Sequence, residues 1–221
     1  MTALVRYQAA LLLRSQRWLV PVLFYAAAVA AGSNGGEPLG DALGWSAAMA
    51  LPAAAWLTRC CLTNEPAAAR ACLAAAGGAR RAHVSALVVA GAGALLLPIV
   101  GTGFEILVSA APHGGPGRSA VIGAGFVAGL TAALTGTAVA AVCNPPVIRR
   151  TGAAVLATVF AVIYALAASA SPALAAIRRA APVRGSHLPL VAAGAGVLLT
   201  GAAWALSTVA AAHRADAGPT T

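Results

Sequence analysis

The sequence has no lysine, and its positive charge comes from fourteen arginines against five acidic residues. A Walker A loop needs a lysine on the phosphates of its nucleotide, so the usual P-loop ATPases are excluded. Charged residues are only 9% of the chain, whereas an ordinary soluble domain has ~25%. We therefore expect the net charge of +9 to orient helices in a membrane rather than to bind nucleic acid.

The chain also lacks the motifs of common membrane enzymes. It contains no HExxH, no GxSxG and no pair of acids spaced to face each other from one helix. The cysteines Cys60, Cys61, Cys72 and Cys143 lack the spacing of a zinc site, and they fall at the predicted cytoplasmic face, where thiols stay reduced. We expect no catalysis by this chain alone, no bound metal and no cofactor of its own.

What the sequence does have is apolar length, since hydrophobic residues are 60% of the chain and the mean hydropathy is +0.85. This composition predicts an all-α, polytopic membrane protein with a single transmembrane domain and about six transmembrane helices. The predicted segments are an interfacial elbow helix at 2–17, spans at 18–31, 42–57, 84–109, 119–142, 151–170 and 189–212, a cytoplasmic loop at 59–83, an outer loop with a short helix at 171–188, and a cytoplasmic tail at 213–221.

Residues 2–17 have the pattern of an amphipathic helix that lies on a membrane surface. Leu4 and Leu11 fall within one helical arc, and Arg6 and Arg14 fall on the opposite arc. Basic residues ahead of an apolar core are also typical of a cleaved signal peptide, which is the alternative. The length of the amphipathic lead and the spans that follow it favour the elbow helix.

A polar, arginine-bearing island at 59–83 separates the second and third predicted spans. Glu65 can cap a short helix at 67–76, for which Pro66 suits the first turn and Gly78 the end. Such a helix is about 15 Å long, well short of the ~20 residues that cross a bilayer. We predict a short cytoplasmic helix that a soluble partner contacts, and a solvated, alanine-rich loop is the alternative.

The distribution of arginines predicts the orientation. With six spans and the amino terminus inside, most arginines fall on the cytoplasmic side, and both termini are cytoplasmic in a cell membrane. Arg178, Arg179 and Arg184 are exceptions because they fall in the outer loop. We expect the helix at 172–181 to dip into or lie along the outer interface, where these side chains reach lipid headgroups. A miscounted span is the alternative.

Glu105 is the one acid that falls well inside a predicted span. An ionisable residue within a membrane is a functional candidate by default, so Glu105 is a candidate for the translocation path. It lies close to the predicted outer end of its span, where a carboxylate can reach water. A residue at headgroup level is therefore the competing interpretation.

The order of these segments resembles the permease subunits of ABC-2 type exporters over nearly the whole chain. The likeness is strongest at RYQAALLLRSQRW, which is similar to the basic lead of small actinobacterial-type permeases, and at TNEPAAARACLAAAGGARRAH, which is similar to the family's coupling-helix segment. Glu65 matches the glutamate that opens that segment, Leu73 a leucine in its middle, and Arg80 or Arg81 the arginine after the turn. The Gly-Thr that often follows the glutamate and a later lysine are absent, and two glycines stand where a proline is common.

The resemblance implies a permease subunit that exports an unidentified substrate across the cytoplasmic membrane. A separate ABC ATP-binding subunit would hydrolyse ATP with magnesium, and two permease subunits would pair in the bilayer as a homodimer or a heterodimer. The implied contacts of the ATP-binding subunit with the coupling helix are Glu65, Pro66, Arg70, Leu73, Arg80 and Arg81. Two other classes stay open: a secondary transporter or channel that uses Glu105, and a membrane anchor or accessory protein that transports nothing.

Overall fold

The computed structural model describes residues 1–33, 37–109, 117–180 and 188–216. Helices make up 87% of this part of the chain, which confirms the all-α class. The helices are α1 Thr2–Ser15, α2 Leu19–Gly32, α3 Leu39–Thr63, α4 Ala67–Gly77, α5 Ala79–Val108, α6 Arg118–Cys143, α7 Thr151–Ala167, α8 Pro172–Ala180 and α9 Leu190–Asp216. Prolines mark three starts, because Pro38 and Pro66 directly precede α3 and α4 and Pro172 is the first residue of α8.

The centre of the bundle is the contact between α3 and α6, where glycine and alanine replace larger side chains. A Cβ atom added at Gly136 of α6 would lie 3.1 Å from the Cβ of Ala54 and from the backbone nitrogen of Ala55, and closer still to the carbonyl oxygen of Leu51. At Gly129 the added atom would lie 2.8 Å from the Cβ of Pro98 in α5. Small residues thus let the backbones of these helices approach closely, as in membrane helix pairs.

The outer helices present an apolar surface. Along the most apolar stretch of each segment, 17% of the residues of α7 with α8 and 28% of those of α9 are buried inside the protein. The corresponding share for α6 is 61%. The side chains of Phe160, Tyr164, Val191 and Leu198 are between 68% and 76% exposed. Apolar surface of this extent is compatible with contact to lipid rather than water.

Four segments are long and apolar enough to cross a membrane: Ala79–Val108, Arg118–Cys143, Thr151–Ala180 across α7 and α8, and Leu190–Arg214. Helix α2 is shorter at 14 residues. Helix α3 has 25 residues but carries Asp41 and Arg59, which lower its mean hydropathy. Most of α3 is buried by other helices, so its side chains contact protein rather than the surroundings. The structure therefore supports a multi-pass membrane protein, and the number of six spans stays a prediction.

Helices α7 and α8 together form one discontinuous helix along α3 and α6. Ala165 near the end of α7 and Ala173 at the start of α8 share a cluster with Leu51 and Ala132. Farther along α8, Ala180 packs with residues nearer the amino-terminal ends of α3 and α6. The short helix that we predicted in the outer loop thus packs against the bundle. Its contact face consists of alanines at every third or fourth position, which fit against α6.

The exposed side of α8 carries Arg178 and Arg179, in its last turn. Arg184, the third arginine of the predicted outer loop, lies outside the described residues. The small buried face and the charged exposed face make α8 strongly amphipathic over only nine residues. Headgroup contact by these arginines stays a prediction.

Helix α1 packs its apolar side against the bundle. Leu12 is 8% exposed and lies with Cys61 of α3 and Val89 of α5 in one cluster. Arg6 and Arg14 point away and are exposed. The amphipathic pattern of α1 is therefore explained at least in part by contact with α3 and α5, and an elbow role at the membrane surface stays a prediction.

Candidate functional site: the arginine-rich end of the bundle

A cavity of about 380 Å³, which we call the end cavity, lies where several helices end. It is bounded by α1, by the ends of α3 and α9, by α4, by the first turns of α5 and by the link from α6 to α7. Its polar lining consists of Gln8, Glu65, Arg70, His83, Arg149 and Arg214, and the rest is mainly alanine, leucine and proline. Positive side chains therefore outnumber the single carboxylate.

Glu65 is the most buried charged residue of this lining, with 8% of its surface exposed. Its Oε1 atom is buried and has no hydrogen-bond partner among the described residues. A buried carboxylate oxygen without a donor is energetically costly, so Glu65 is a site where a further donor would be stabilising. Loss of surrounding water, and then the nearby Glu65 carboxylate, raise the pKa of the Tyr7 phenol above its usual 10.0.

Arg70 closes the end of α3 instead of pairing fully with Glu65. Its Nη2 atom donates to the carbonyl oxygen of Glu65 at 3.0 Å and to that of Leu62 at 3.4 Å. Carbonyls at the end of a helix lack intrahelical donors and carry partial negative charge, which a guanidinium stabilises. Arg70 thus ties α4 to the end of α3.

A second polar cluster, which the sequence did not reveal, joins three helices beside the end cavity. Asn144 is fully buried, and its Oδ1 accepts a hydrogen bond from Nη1 of Arg59 in α3. Its Nδ2 donates to the carbonyl oxygen of Ala140 at 2.9 Å and to Oγ1 of Thr158 in α7 at 3.2 Å. The one available signal, an asparagine ahead of two prolines, indicates only a turn.

The predicted contact residues divide into two groups. Glu65 and Arg70 line the end cavity, and Leu73 is half-buried. Pro66, Arg80 and Arg81 are exposed, the first before α4 and the other two in the first turn of α5. Helix α4 itself has no fully buried residue among those whose burial is described, so it lies on the surface of the bundle.

Glu105 lies at the opposite end of the bundle, and its side chain is completely enclosed by protein. Its Oε1 accepts a hydrogen bond at 2.9 Å from Oγ of Ser33, the residue directly after α2, and its Oε2 accepts one at 3.1 Å from Oγ of Ser109. The buried carboxylate therefore does not reach water, while its depth in a membrane, at headgroup level or within the span, stays a prediction. The two hydroxyls satisfy both oxygens, and Glu105 thereby links the ends of α2 and α5.

Metal binding finds no support in the described residues, where no group of three or more histidine, cysteine or acidic side chains is placed to hold an ion. Comparisons of the chain with protein-family models, curated proteins and solved structures find no match.

Proposed function

We propose that this chain is the membrane-spanning permease subunit of an ABC-2 type exporter, with a separate subunit that hydrolyses ATP. The observation that carries the proposal is α4, a surface helix that directly precedes the 30-residue helix α5 at the arginine-rich end of the bundle. A short exposed helix joined to a long apolar one is suited to pass the movement of a soluble partner into a membrane.

The connection between α4 and α5 is short enough for this role. A single residue, Gly78, separates the two helices, with a φ of 83° that favours glycine. At the other end of α4, Arg70 donates hydrogen bonds to the carbonyl oxygen of Leu62 in the last turn of α3 and to that of Glu65 in the link between α3 and α4. A displacement of α4 would therefore act on α3 and α5 together, and tilting of packed helices is a common form of switching.

The finer parts of the proposal follow from the same arrangement. Six spans would be completed by α2 and α3 together with the four long apolar segments. Both termini would be cytoplasmic, because the end that carries α1 and the end cavity also carries most of the arginines. The apolar faces of α7 and α9 would contact lipid or a second permease subunit.

The test is to co-express the tagged chain with its ATP-binding subunit and to measure co-purification and ATP hydrolysis. Arg80→Glu combined with Arg81→Glu reverses two exposed charges beside α4, and we expect at least a tenfold loss of ATPase retention, since like charges across an interface cost several kcal/mol. Arg118→Glu at the opposite end is the matched control and should retain the subunit. Unchanged retention in the double variant, with correct membrane insertion, would contradict the proposed contact.

A secondary transporter or channel is the second candidate, and the enclosure of Glu105 favours keeping it. An acid buried among helices could bind and release a coupling ion. In that case the purified chain alone should transport, and Glu105→Gln should abolish transport while Ser109→Ala, which removes one donor to Glu105, should only reduce it. Transport that requires ATP hydrolysis by the partner would exclude this candidate. Partner binding with no substrate flux would indicate an anchor or accessory protein.

A further inference from the structure

We propose that the end cavity binds the headgroup of a membrane lipid that carries both a phosphate and a protonated primary amine. The proposal rests on the charges and burial of the lining, and it does not depend on an ATP-binding subunit. The cavity volume of about 380 Å³ lies within the ~300–1,000 Å³ typical of small-molecule sites. It is too large to be explained as the space for one or two waters, each of which occupies about 30 Å³.

The amine is assigned to Glu65. Glu65 lines the cavity with 8% of its surface exposed, and its buried Oε1 atom has no hydrogen-bond partner among the described residues. Arg70, which lines the same cavity, places its Nη2 on main-chain carbonyl oxygens. A protonated amine at this carboxylate would supply a compensating charge and a hydrogen bond between ionised groups, which is stronger than a neutral one.

The phosphate is assigned to Arg149 and Arg214, which line the same cavity and are exposed at its rim. Arg214 donates from Nη2 to the carbonyl oxygen of Val147 at 3.1 Å, which fixes its guanidinium while leaving four further N–H groups on the side chain. Arginine pairs well with phosphate because its planar fork matches two phosphate oxygens. A ligand with one sign of charge would satisfy either the arginines or Glu65, whereas an aminophosphate satisfies both.

The position of the cavity favours a lipid over a soluble aminophosphate. Helix α1 forms one wall through Gln8, and the opposite face of α1 exposes Leu13 to 62%. Leucine at that exposure is suited to the boundary of a bilayer, where amphipathic helices lie. The acyl chains of a bound lipid would then remain in the bilayer beside α1 while the headgroup enters the cavity.

The experiment is native mass spectrometry of the full-length chain, delipidated in detergent and offered phosphatidylethanolamine or phosphatidylcholine with the same acyl chains. The two headgroups share a phosphate and a positive charge, but the quaternary amine of phosphatidylcholine has no N–H donor. We expect roughly tenfold greater retention of phosphatidylethanolamine, the effect of one hydrogen bond to a charged group. Glu65→Gln should bring the ratio close to one, and Asp41→Asn, an exposed acid at the other end, should leave it unchanged.

Two further arms test the phosphate and the source of the ligand. Arg149→Gln with Arg214→Gln should weaken retention of both lipids by a similar factor, and Arg118→Gln should weaken neither. Soluble phosphoethanolamine at the same concentration should displace little lipid, and complete displacement would overturn the lipid as the ligand.

Equal retention of the two lipids by the unmodified chain would overturn the proposal without any variant. The Glu65 carboxylate would then be available to pair with a basic side chain of a protein partner. Anionic phosphatidylglycerol is offered as a third lipid, and its exclusive retention would overturn the proposal as well.

Discussion

Replacement of Gly136 by alanine tests the central contact on which the rest of the bundle depends. The added Cβ would press on the backbone of α3 at Leu51 and Ala55, and backbone cannot rotate aside as a flexible side chain can. Overpacking of this kind costs typically ~1–3 kcal/mol. The matched control is Gly201→Ala in α9, where an added Cβ meets nothing within 4 Å and should stabilise the helix by ~0.5–1 kcal/mol.

The two alanine variants should therefore differ in stability by roughly 1.5–4 kcal/mol, the sum of the two effects. For a chain of this size each kcal/mol corresponds to ~2–4 °C in the unfolding midpoint. Thermal unfolding in detergent, followed by the fluorescence of the four tryptophans, measures the difference directly. Equal midpoints for Gly136→Ala and Gly201→Ala, or a higher one for Gly136→Ala, would mean that α3 and α6 do not approach as closely as described.

Two more predictions concern polar groups near the end cavity. Asn144→Ala removes the hydrogen-bond acceptor of Arg59 and should lower the free energy of unfolding by about 1–3 kcal/mol. Asn64→Ala should change it little, because the buried Nδ2 of Asn64 has no partner among the described residues. The same thermal assay measures both variants, and an equal loss of stability would contradict the hydrogen bonds described for Asn144. The pKa of Tyr7 is raised in the folded state, so the free energy of unfolding should not depend on this phenol below pH 10.0 and should fall as pH rises through the folded-state pKa. Ultraviolet titration, with Tyr7→Phe as the reference, should show that Tyr7 ionises above pH 10.0, and Glu65→Gln should lower the pH at which it ionises. Ionisation of Tyr7 below pH 10.0 would contradict this prediction.

The helical class and much of the local structure could be predicted because they depend on short-range signals. Proline and glycine mark ends that the structure reproduces, as at Pro66 before α4 and Gly78 after it. Apolar periodicity likewise indicates helices wherever it persists for enough residues. These signals need only neighbours in the sequence, and they do not require knowledge of which helices meet.

The packing of α8 into the bundle could not be predicted in the same way. Ser171 and Pro172 indicated a helix start correctly, but whether that helix lies in a loop or in the bundle depends on its partners. Ala173 packs against Ala132 of α6, and Ala176 packs against Ala128, so the fit joins residues that are 41 and 48 positions apart in the sequence. Alanine is equally acceptable on a surface, so its presence alone does not indicate burial.

The surroundings of Glu65 and Asn144 were unpredictable for a related reason. Each is one polar residue in a turn, and its partners come from elements far away in the chain, as Arg59 shows for Asn144. The sequence indicated that Glu65 would contact a partner protein, and it could not indicate that the side chain turns into a cavity. Burial of a turn residue is set by the helices around it.

The inward position of Glu65 separates the two functions proposed for this segment. A protein partner on the outer side of α4 would meet exposed side chains such as Pro66 and Arg81, while a ligand in the end cavity would meet Glu65 behind the helix. Arg70 bridges the two sides because it lines the cavity and holds α4 to the carbonyls that end α3. Removal of Arg70 should therefore disturb both kinds of binding, whereas Glu65→Gln and the Arg80 and Arg81 reversals should each disturb one.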